Sequence, residues 1–188
     1  MKEIIQRNIQ GWKVLSFFIA ANLVYAYMMI ISIPKVMSFS NRMKILDMMP
    51  TGYNSEYVNT LFTTLGEEGR NAYLYGQIPA DMIYPLLYGI SFCLLLAFFL
   101  NKLNKLNGNL FYLVFLPIIG GVFDYLENTG TIIMLNNYPD ISDASVNITN
   151  TFSIIKSLST TIYFVVLIIT LIALGIKTIK RNKSSITN

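Results

Sequence analysis

Two acidic residues, Asp124 and Glu127, lie inside a strongly apolar stretch, between "LFYLVFLPIIGGVF" and "TIIML". Residues three or four apart on a helix are neighbours, so both carboxyl groups and Asn128 would share one helical face. Two like charges this close in a medium of low dielectric constant do not both stay ionised unless a cation lies between them. The spacing therefore indicates a site that takes up a proton or a cation.

The energy of membrane insertion gives the same indication. From residue 110 to residue 134, thirteen Leu, Ile, Val and Phe residues together favour insertion by roughly 4 to 8 kcal/mol. Two charged carboxylates near the centre of a helix oppose insertion by roughly 5 to 7 kcal/mol. Because the two sums are similar, we expect these acids to have a partner elsewhere in the chain, a proton or a ligand.

Polar groups on other apolar stretches are expected at a similar depth. Counting inward at about 1.5 Å per residue places Asn22 and Tyr88 near the depth of Asp124. The stretch "YPLLYG" puts two tyrosines on one helical face. The cations available to the acids are Arg70, Lys156, an external ion or a proton, and Arg70 is the predicted gate or counter-ion. The predicted ligand-binding residues are Asp124, Glu127, Asn128, Asn22, Tyr84, Tyr88 and Arg70.

The elements that position these residues are predicted to be membrane spans. The sequence is 54% hydrophobic and only 13% charged, which is more apolar surface than a soluble domain of 188 residues can bury. A helix needs about 20 apolar residues to cross about 30 Å of hydrocarbon, and continuous apolar runs favour helices over a barrel. We expect one integral membrane domain over residues 1–188, an all-α four-helix transmembrane bundle with spans at about 14–33, 82–100, 110–134 and 158–176.

Basic residues concentrate on one side of this topology. The N-terminal segment, the connection between the second and third spans, and the tail through Lys183 carry nine basic residues and one acidic residue. The other two connections carry five basic and seven acidic residues. By the positive-inside rule both termini are predicted to be cytoplasmic. The net charge of +4 is therefore an orientation signal and gives no reason to expect nucleic acid as a partner.

The predicted outer loop at residues 34–81 is too long for a structureless connection. Asn54 or Ser55 can cap a helix in which apolar residues recur at helical spacing until Gly66, a plausible stop. A further short helix would precede the second span, with Asp81 near the N-terminus of that span. The sequence therefore predicts a helical extracytoplasmic cap between spans 1 and 2, resting on the membrane interface or covering a cavity.

Several kinds of chemistry are excluded by composition. Histidine is absent, and Cys93 is the single cysteine. Disulfides within the chain, His-ligated zinc or haem, and Ser-His or Cys-His catalytic pairs are therefore excluded. The sequence also lacks a Gly-rich phosphate loop, so no cofactor and no metal centre is predicted.

Two segments, "LGEEGRNAYLYGQIPADMIYPLLYG" and "LPIIGGVFDYLENTGTIIMLNNYP", resemble a pattern of small, mostly uncharacterised bacterial four-span integral membrane proteins with no named activity. The resemblance covers roughly residues 55–140 and implies the bacterial cytoplasmic membrane as the location. Its recognisable positions are Gly69, Arg70, Asp81, Tyr84, Pro85, Asp124, Glu127 and Asn128. The sterol-isomerase and sigma-2-receptor-like group differs in its motifs, and the isomerases' histidine is missing here, so nothing is transferred from that group.

Three functions are compatible with these features. The first is a protein of the lipid bilayer whose acidic pocket binds or transports a cation, a proton or a lipid-like ligand from the outer side. The second is an intramembrane enzyme that modifies a lipid or isoprenoid, with one carboxyl group as general acid and the other as base. The third is a structural or assembly subunit in which the acids hold helices together. The sequence leaves a homo-oligomer open.

Overall fold

The computed structural model describes residues 2–186, with side chains through Arg181. Within these residues the chain is helical and contains no strand, which confirms the predicted all-α class. Lys183, counted above among the basic residues of the tail, lies outside the described side chains. The helices are α1 (Lys2–Asn8), α2 (Gly11–Ser38), α3 (Ser55–Lys102), α4 (Asn109–Asn137) and α5 (Asp143–Ile186).

Four of these helices, α2 to α5, are long and apolar enough to cross a membrane. Large apolar side chains such as Leu23, Ile30 and Ile169 remain exposed on their surfaces. Such a surface is unfavourable in water, whereas hydrocarbon accommodates it. The fold is therefore consistent with an integral membrane protein, and the predicted four-helix bundle is confirmed at this level.

The segment predicted as an outer loop continues directly into the second predicted span. The Asn54 carboxamide oxygen accepts a hydrogen bond from the Tyr57 backbone N–H at 2.8 Å and so caps the start of α3. Gly66 has a non-helical backbone, with a φ of +63° that glycine adopts easily, so it separates two helical stretches at a kink, as the sequence indicated. The second helical stretch follows the kink directly and runs on to Lys102, so Asp81 lies well inside it.

Both α2 and α3 contain a π-helical turn near the same end of the bundle. The turn in α2 is Met28–Ser32 and the turn in α3 is Tyr73–Gln77. The two turns lie against each other, and the Ser32 hydroxyl donates a hydrogen bond to the Gln77 carboxamide oxygen. π-helical turns inside α-helices occur frequently at functional sites. Here they border the site described below.

The two ends of the bundle contain different segments of the chain. At one end, called the termini end, Lys177 at the end of α5 donates a hydrogen bond to the Lys102 carbonyl at 2.7 Å. At the other end, called the loop end, residues 39–54 fold over the helices. There the Tyr53 backbone N–H donates to the Asn150 carboxamide oxygen at 2.8 Å, which ties the loop to α5.

Helix α3 forms the centre of the bundle. Helix α2 packs along it, α4 packs along it on another side, and α5 packs mainly along α4 with further contacts to α3. Gly121 allows α4 to approach Pro85 of α3 closely, because a Cβ atom at residue 121 would lie 2.8 Å from the Pro85 carbonyl oxygen. Small residues permit such close approach between helices in membranes.

Replacing Gly121 with alanine is expected to lower the free energy of unfolding by about 1–3 kcal/mol, because the added methyl group must push α3 and α4 apart. Gly175→Ala is the matched control, since nothing in the described structure lies within 4 Å of a Cβ atom at residue 175. In a helix, that control should stabilise the fold by up to about 1 kcal/mol. Unfolding of both purified variants in one detergent measures the difference, and equal stabilities would contradict the close approach.

Candidate functional site

Lys156 of α5 lies at the centre of a buried group of acidic side chains. Its Nζ atom lies 3.1 Å from Asp124 Oδ1 and 3.9 Å from Asp47 Oδ1, and it contacts the Glu127 carboxylate directly. The Glu127 side chain is completely buried. This lysine is therefore the protein's own counter-ion for the two acids of α4, and it joins α4, α5 and the loop end.

Asp47 reaches this group from a short 3-10 turn, Leu46–Met48, in the loop end. The Tyr73 hydroxyl donates a hydrogen bond to Asp47 Oδ2 at 3.1 Å and fixes the direction of the carboxylate. Tyr73 is itself completely buried in the π-helical turn of α3. The turn thus positions an acid that comes from a loop.

Asp81 of α3 completes the acidic group without an ion pair. Among the residues with described side chains, no Lys or Arg nitrogen lies within 4.0 Å of its carboxylate. One carboxylate oxygen from each of Asp47, Asp81 and Asp124 lies within 4.8 Å of the other two. Asp81 is only 3% exposed, and its Oδ2 atom has no hydrogen-bond partner there, nor has Glu127 Oε1. Four carboxyl groups therefore face a single lysine.

A cavity of about 440 Å³ opens beside these acids. Asp47, Asp81, Asp124 and Lys156 form its polar end. The other walls come from α2 through Tyr25, Met28, Met29 and Ile33, from α3 through Tyr84 and Tyr88, and from α5 through Ser157, Thr160 and Thr161. A site with a charged end and mainly apolar walls is typical of pockets for small ligands.

Tyr53 lies beside the acidic group at the loop end, and its hydroxyl is buried without a hydrogen-bond partner among the described residues. Burial, with smaller contributions from the Glu127 and Asp47 carboxylates, raises the pKa of Tyr53 well above its ordinary value. The phenol therefore stays neutral at physiological pH. It can offer a hydrogen bond but no charge.

Five of the seven predicted site residues come together here. Asp124, Tyr84 and Tyr88 line the cavity. Glu127 lies behind it in contact with Lys156, and the Asn128 carboxamide nitrogen donates to the Asp81 backbone carbonyl at 3.0 Å. The Asn128 contact connects α4 to α3 at the residue that carries the unpaired carboxylate.

The structure does not bring the other two predicted residues into this group. Asn22 is exposed, and its carboxamide donates to the Phe18 carbonyl of its own helix at 2.7 Å. Arg70 donates to the Phe62 carbonyl at 2.8 Å and lies over the Tyr138 ring, 4.1 Å from its centroid. Arg70 therefore stabilises the region around the kink of α3. The counter-ion of the acids is Lys156, and not Arg70 as predicted.

Asp47, Asp81 and Lys156 were not among the predicted site residues. For Lys156 a signal exists in the sequence: polar side chains recur at helical spacing as Thr149, Ser153, Lys156, Thr160 and Tyr163. For Asp81 the signal is its spacing from the two tyrosines of "YPLLYG", three and seven residues later on the same face. Asp47 lies in a loop, where no periodicity could have indicated it.

Comparison of the chain with protein-family models, with curated proteins and with solved structures finds no match. The candidate site is therefore described by its own geometry: a carboxylate-rich cavity with one internal ammonium group, between helices that are long and apolar enough to cross a membrane.

Proposed function

We propose that this protein is a membrane protein whose carboxylate pocket binds a cation, either free or as the charged head of a larger ligand. The observation that carries the proposal is the imbalance of charge at the cavity. Four buried or nearly buried carboxyl groups share one lysine, and Asp81 Oδ2 has no partner among the described side chains. A cation at this position would supply the missing partner.

A purely structural role is less consistent with this geometry. A cluster that only joins helices is stable when every buried charge is paired, because an uncompensated buried charge costs several kcal/mol. Lys156 already joins Asp124, Glu127 and Asp47, so Asp81 adds a fourth carboxyl group without adding an ion pair. Unpaired polar groups that persist at a cavity are expected where a ligand pairs with them.

The orientation that supports this function follows from the basic residues of the sequence. The termini end carries most of them, so we place it in the cytoplasm and the loop end on the outer side. Residues 39–54, with the part of α3 before its π-helical turn, would then form the helical cap predicted above. Met48 and Pro50 of this segment border the cavity, so the cap would lie over the cation site.

The proposal is tested by unfolding the protein in nanodiscs with a panel of cations: K⁺, Mg²⁺, Ca²⁺, methylammonium and a long-chain primary amine. A cation that binds only the folded protein stabilises it by about 2.7 kcal/mol at one hundred times its Kd. We expect at least one member of the panel to raise the unfolding midpoint saturably. The combined variant Asp81→Asn and Asp124→Asn should lose this response.

Glu67→Gln with Glu68→Gln is the matched control, because it removes two negative charges from exposed positions of α3. This control should respond to the cation as the wild type does. If the panel raises the midpoints of the wild type and of the Asp81/Asp124 variant equally, the cavity is not a cation site and the proposal is wrong.

A further inference from the structure

We infer that the ligand of this pocket is an amphiphilic primary ammonium compound, with its head at the carboxylates and its hydrocarbon chain between α2 and α5. This inference rests on the proposed function and specifies its ligand class. Three features of the described residues carry it: the size and walls of the cavity, the kind of cation that the acids already hold, and the exposed lining residues on α2 and α5.

The cavity is too large and too apolar for an inorganic ion alone. Its volume of about 440 Å³ compares with about 30 Å³ for one water molecule in the liquid. Only one end of it is charged, and the walls along α2 consist of Tyr25, Met28, Met29 and Ile33. Methionine side chains adapt to ligands of varied shape, so this wall suits a flexible hydrocarbon chain.

The acids already hold an ammonium group. Lys156 Nζ is a primary ammonium within hydrogen-bond distance of Asp124 Oδ1, and it also contacts Glu127. The Asp124 carboxylate is therefore placed to accept an N–H donor at an ordinary distance. Asp81, close to Asp124 but without a lysine of its own, offers the same kind of acceptor to a second ammonium group.

Two aromatic contacts add to the attraction for an organic cation. The Tyr84 ring lies 5.6 Å from Tyr25 and 5.7 Å from Tyr88, measured between centroids, so the three rings form a continuous wall next to the acids. A cation near the face of such a ring is attracted electrostatically, and more strongly when it is removed from water. The wall would favour an ammonium head over a neutral one.

Residues of both α2 and α5 line the cavity, and we place its opening on the side between these two helices. Helix α2 packs along α3, whereas α5 packs along α4, and the cavity lies between the two outer helices. Its lining residues on this side are partly open: Tyr25 is 45% exposed, Met29 is 39% exposed, and Thr161 is exposed. Because α2 and α5 are both predicted membrane spans, an amphiphile in the bilayer could enter without leaving hydrocarbon.

The test uses a tryptophan reporter in the cavity wall. Trp12 is the only tryptophan, so Trp12→Phe with Tyr25→Trp gives a single indole at the opening. The control is Trp12→Phe with Leu23→Trp, on the same helix at nearly the same depth and 67% exposed. Each of the two proteins is titrated in nanodiscs with two probes, a long-chain primary amine and the matching alcohol. Both probes carry bromine on the hydrocarbon chain, which quenches the fluorescence of a nearby indole. The unfolding midpoint of the Tyr25→Trp protein is recorded with the same amine.

We expect saturable quenching of the indole at residue 25 by the amine. At residue 23 we expect only the unsaturable quenching that both probes cause when they are dissolved in the bilayer. Adding Asp81→Asn should weaken the apparent affinity at residue 25 by at least about tenfold, since the variant removes a charged acceptor of the ammonium head. Equal quenching at both positions, while the amine still raises the midpoint, would show that the chain lies elsewhere and would overturn the inference.

A response to K⁺, Mg²⁺, Ca²⁺ or methylammonium that equals the response to the long-chain amine would also overturn it, while leaving the proposed cation site intact. In contrast, the proposed function itself is contradicted if no cation raises the unfolding midpoint of the wild type more than that of the Asp81/Asp124 variant. The two failures are therefore distinguishable in one set of measurements.

Discussion

Replacing Lys156 with methionine is expected to lower the free energy of unfolding by about 3–5 kcal/mol, the usual cost of removing one partner from a buried ion pair. Methionine preserves most of the side chain's length and apolar stem, so the change removes mainly the charge. Asp124, Glu127 and Asp47 would then face one another without their shared ammonium group. Unfolding of the purified variant in detergent, or its recovery after extraction, measures the effect.

Two further variants make this prediction specific to charge. Lys35→Met is the matched control, because Lys35 is exposed on α2 and its loss should change stability by less than about 0.5 kcal/mol. Lys156→Met combined with Glu127→Gln should recover part of the loss, since one of the unpaired carboxylates is then neutral. A Lys156→Met protein as stable as the wild type would show that the contacts of Lys156 do not hold the bundle together.

Replacing Asp81 with asparagine is expected to act in the opposite direction. Without ligand, the variant should be more stable than the wild type by about 1–3 kcal/mol, because a buried carboxyl group without a partner is replaced by an amide that can donate to the neighbouring carboxylates. Two of those carboxylates, from Asp47 and Asp124, have an oxygen within 4.8 Å of an Asp81 oxygen. The hydrogen bond from Asn128 to residue 81 involves its backbone carbonyl and should persist.

The same variant should lose cation-dependent stabilisation. A variant that is more stable but responds less to the ligand is expected when a binding site lowers the stability of the fold. If Asp81 were instead a structural residue, Asp81→Asn would lower the midpoint without ligand. Asp140→Asn serves as the control, because Asp140 is exposed at the loop end and should change neither quantity. Unfolding midpoints with and without the most effective cation of the panel separate the two cases.

The fold was predictable from the sequence to the level of four apolar helices. Continuous apolar runs long enough to cross hydrocarbon are a strong signal, and α2 to α5 are four helices long and apolar enough to cross a membrane. The ends of the helices were less predictable. Hydropathy indicates where a helix is apolar, whereas α3 and α5 begin far before their apolar parts, at Ser55 and Asp143. The predicted location of residues 34–81 on the outer side stays a prediction.

The candidate site was predictable only in part. Asp124 and Glu127 were indicated by the free-energy cost of placing charged carboxylates in an apolar run. The structure supplies Lys156 as their partner. Lys156 was placed outside its span because the apolar stretch begins two residues later, at Leu158. The helix that carries Lys156 starts at Asp143, which brings the lysine within reach of α4. Three-dimensional packing, which one sequence does not contain, decided between Lys156 and Arg70.

Native mass spectrometry gives the most direct test of whether the carboxylate pocket takes up a cation. Wild type and Asp81→Asn would be incubated in nanodiscs with equal amounts of a long-chain primary amine and the matching alcohol, with methylammonium and Ca²⁺ in parallel samples, and then released. The proposed cation site predicts one cation retained per wild-type chain, little retained by Asp81→Asn, and no preference for the alcohol. Equal retention by both proteins, or no cation on either, would contradict it.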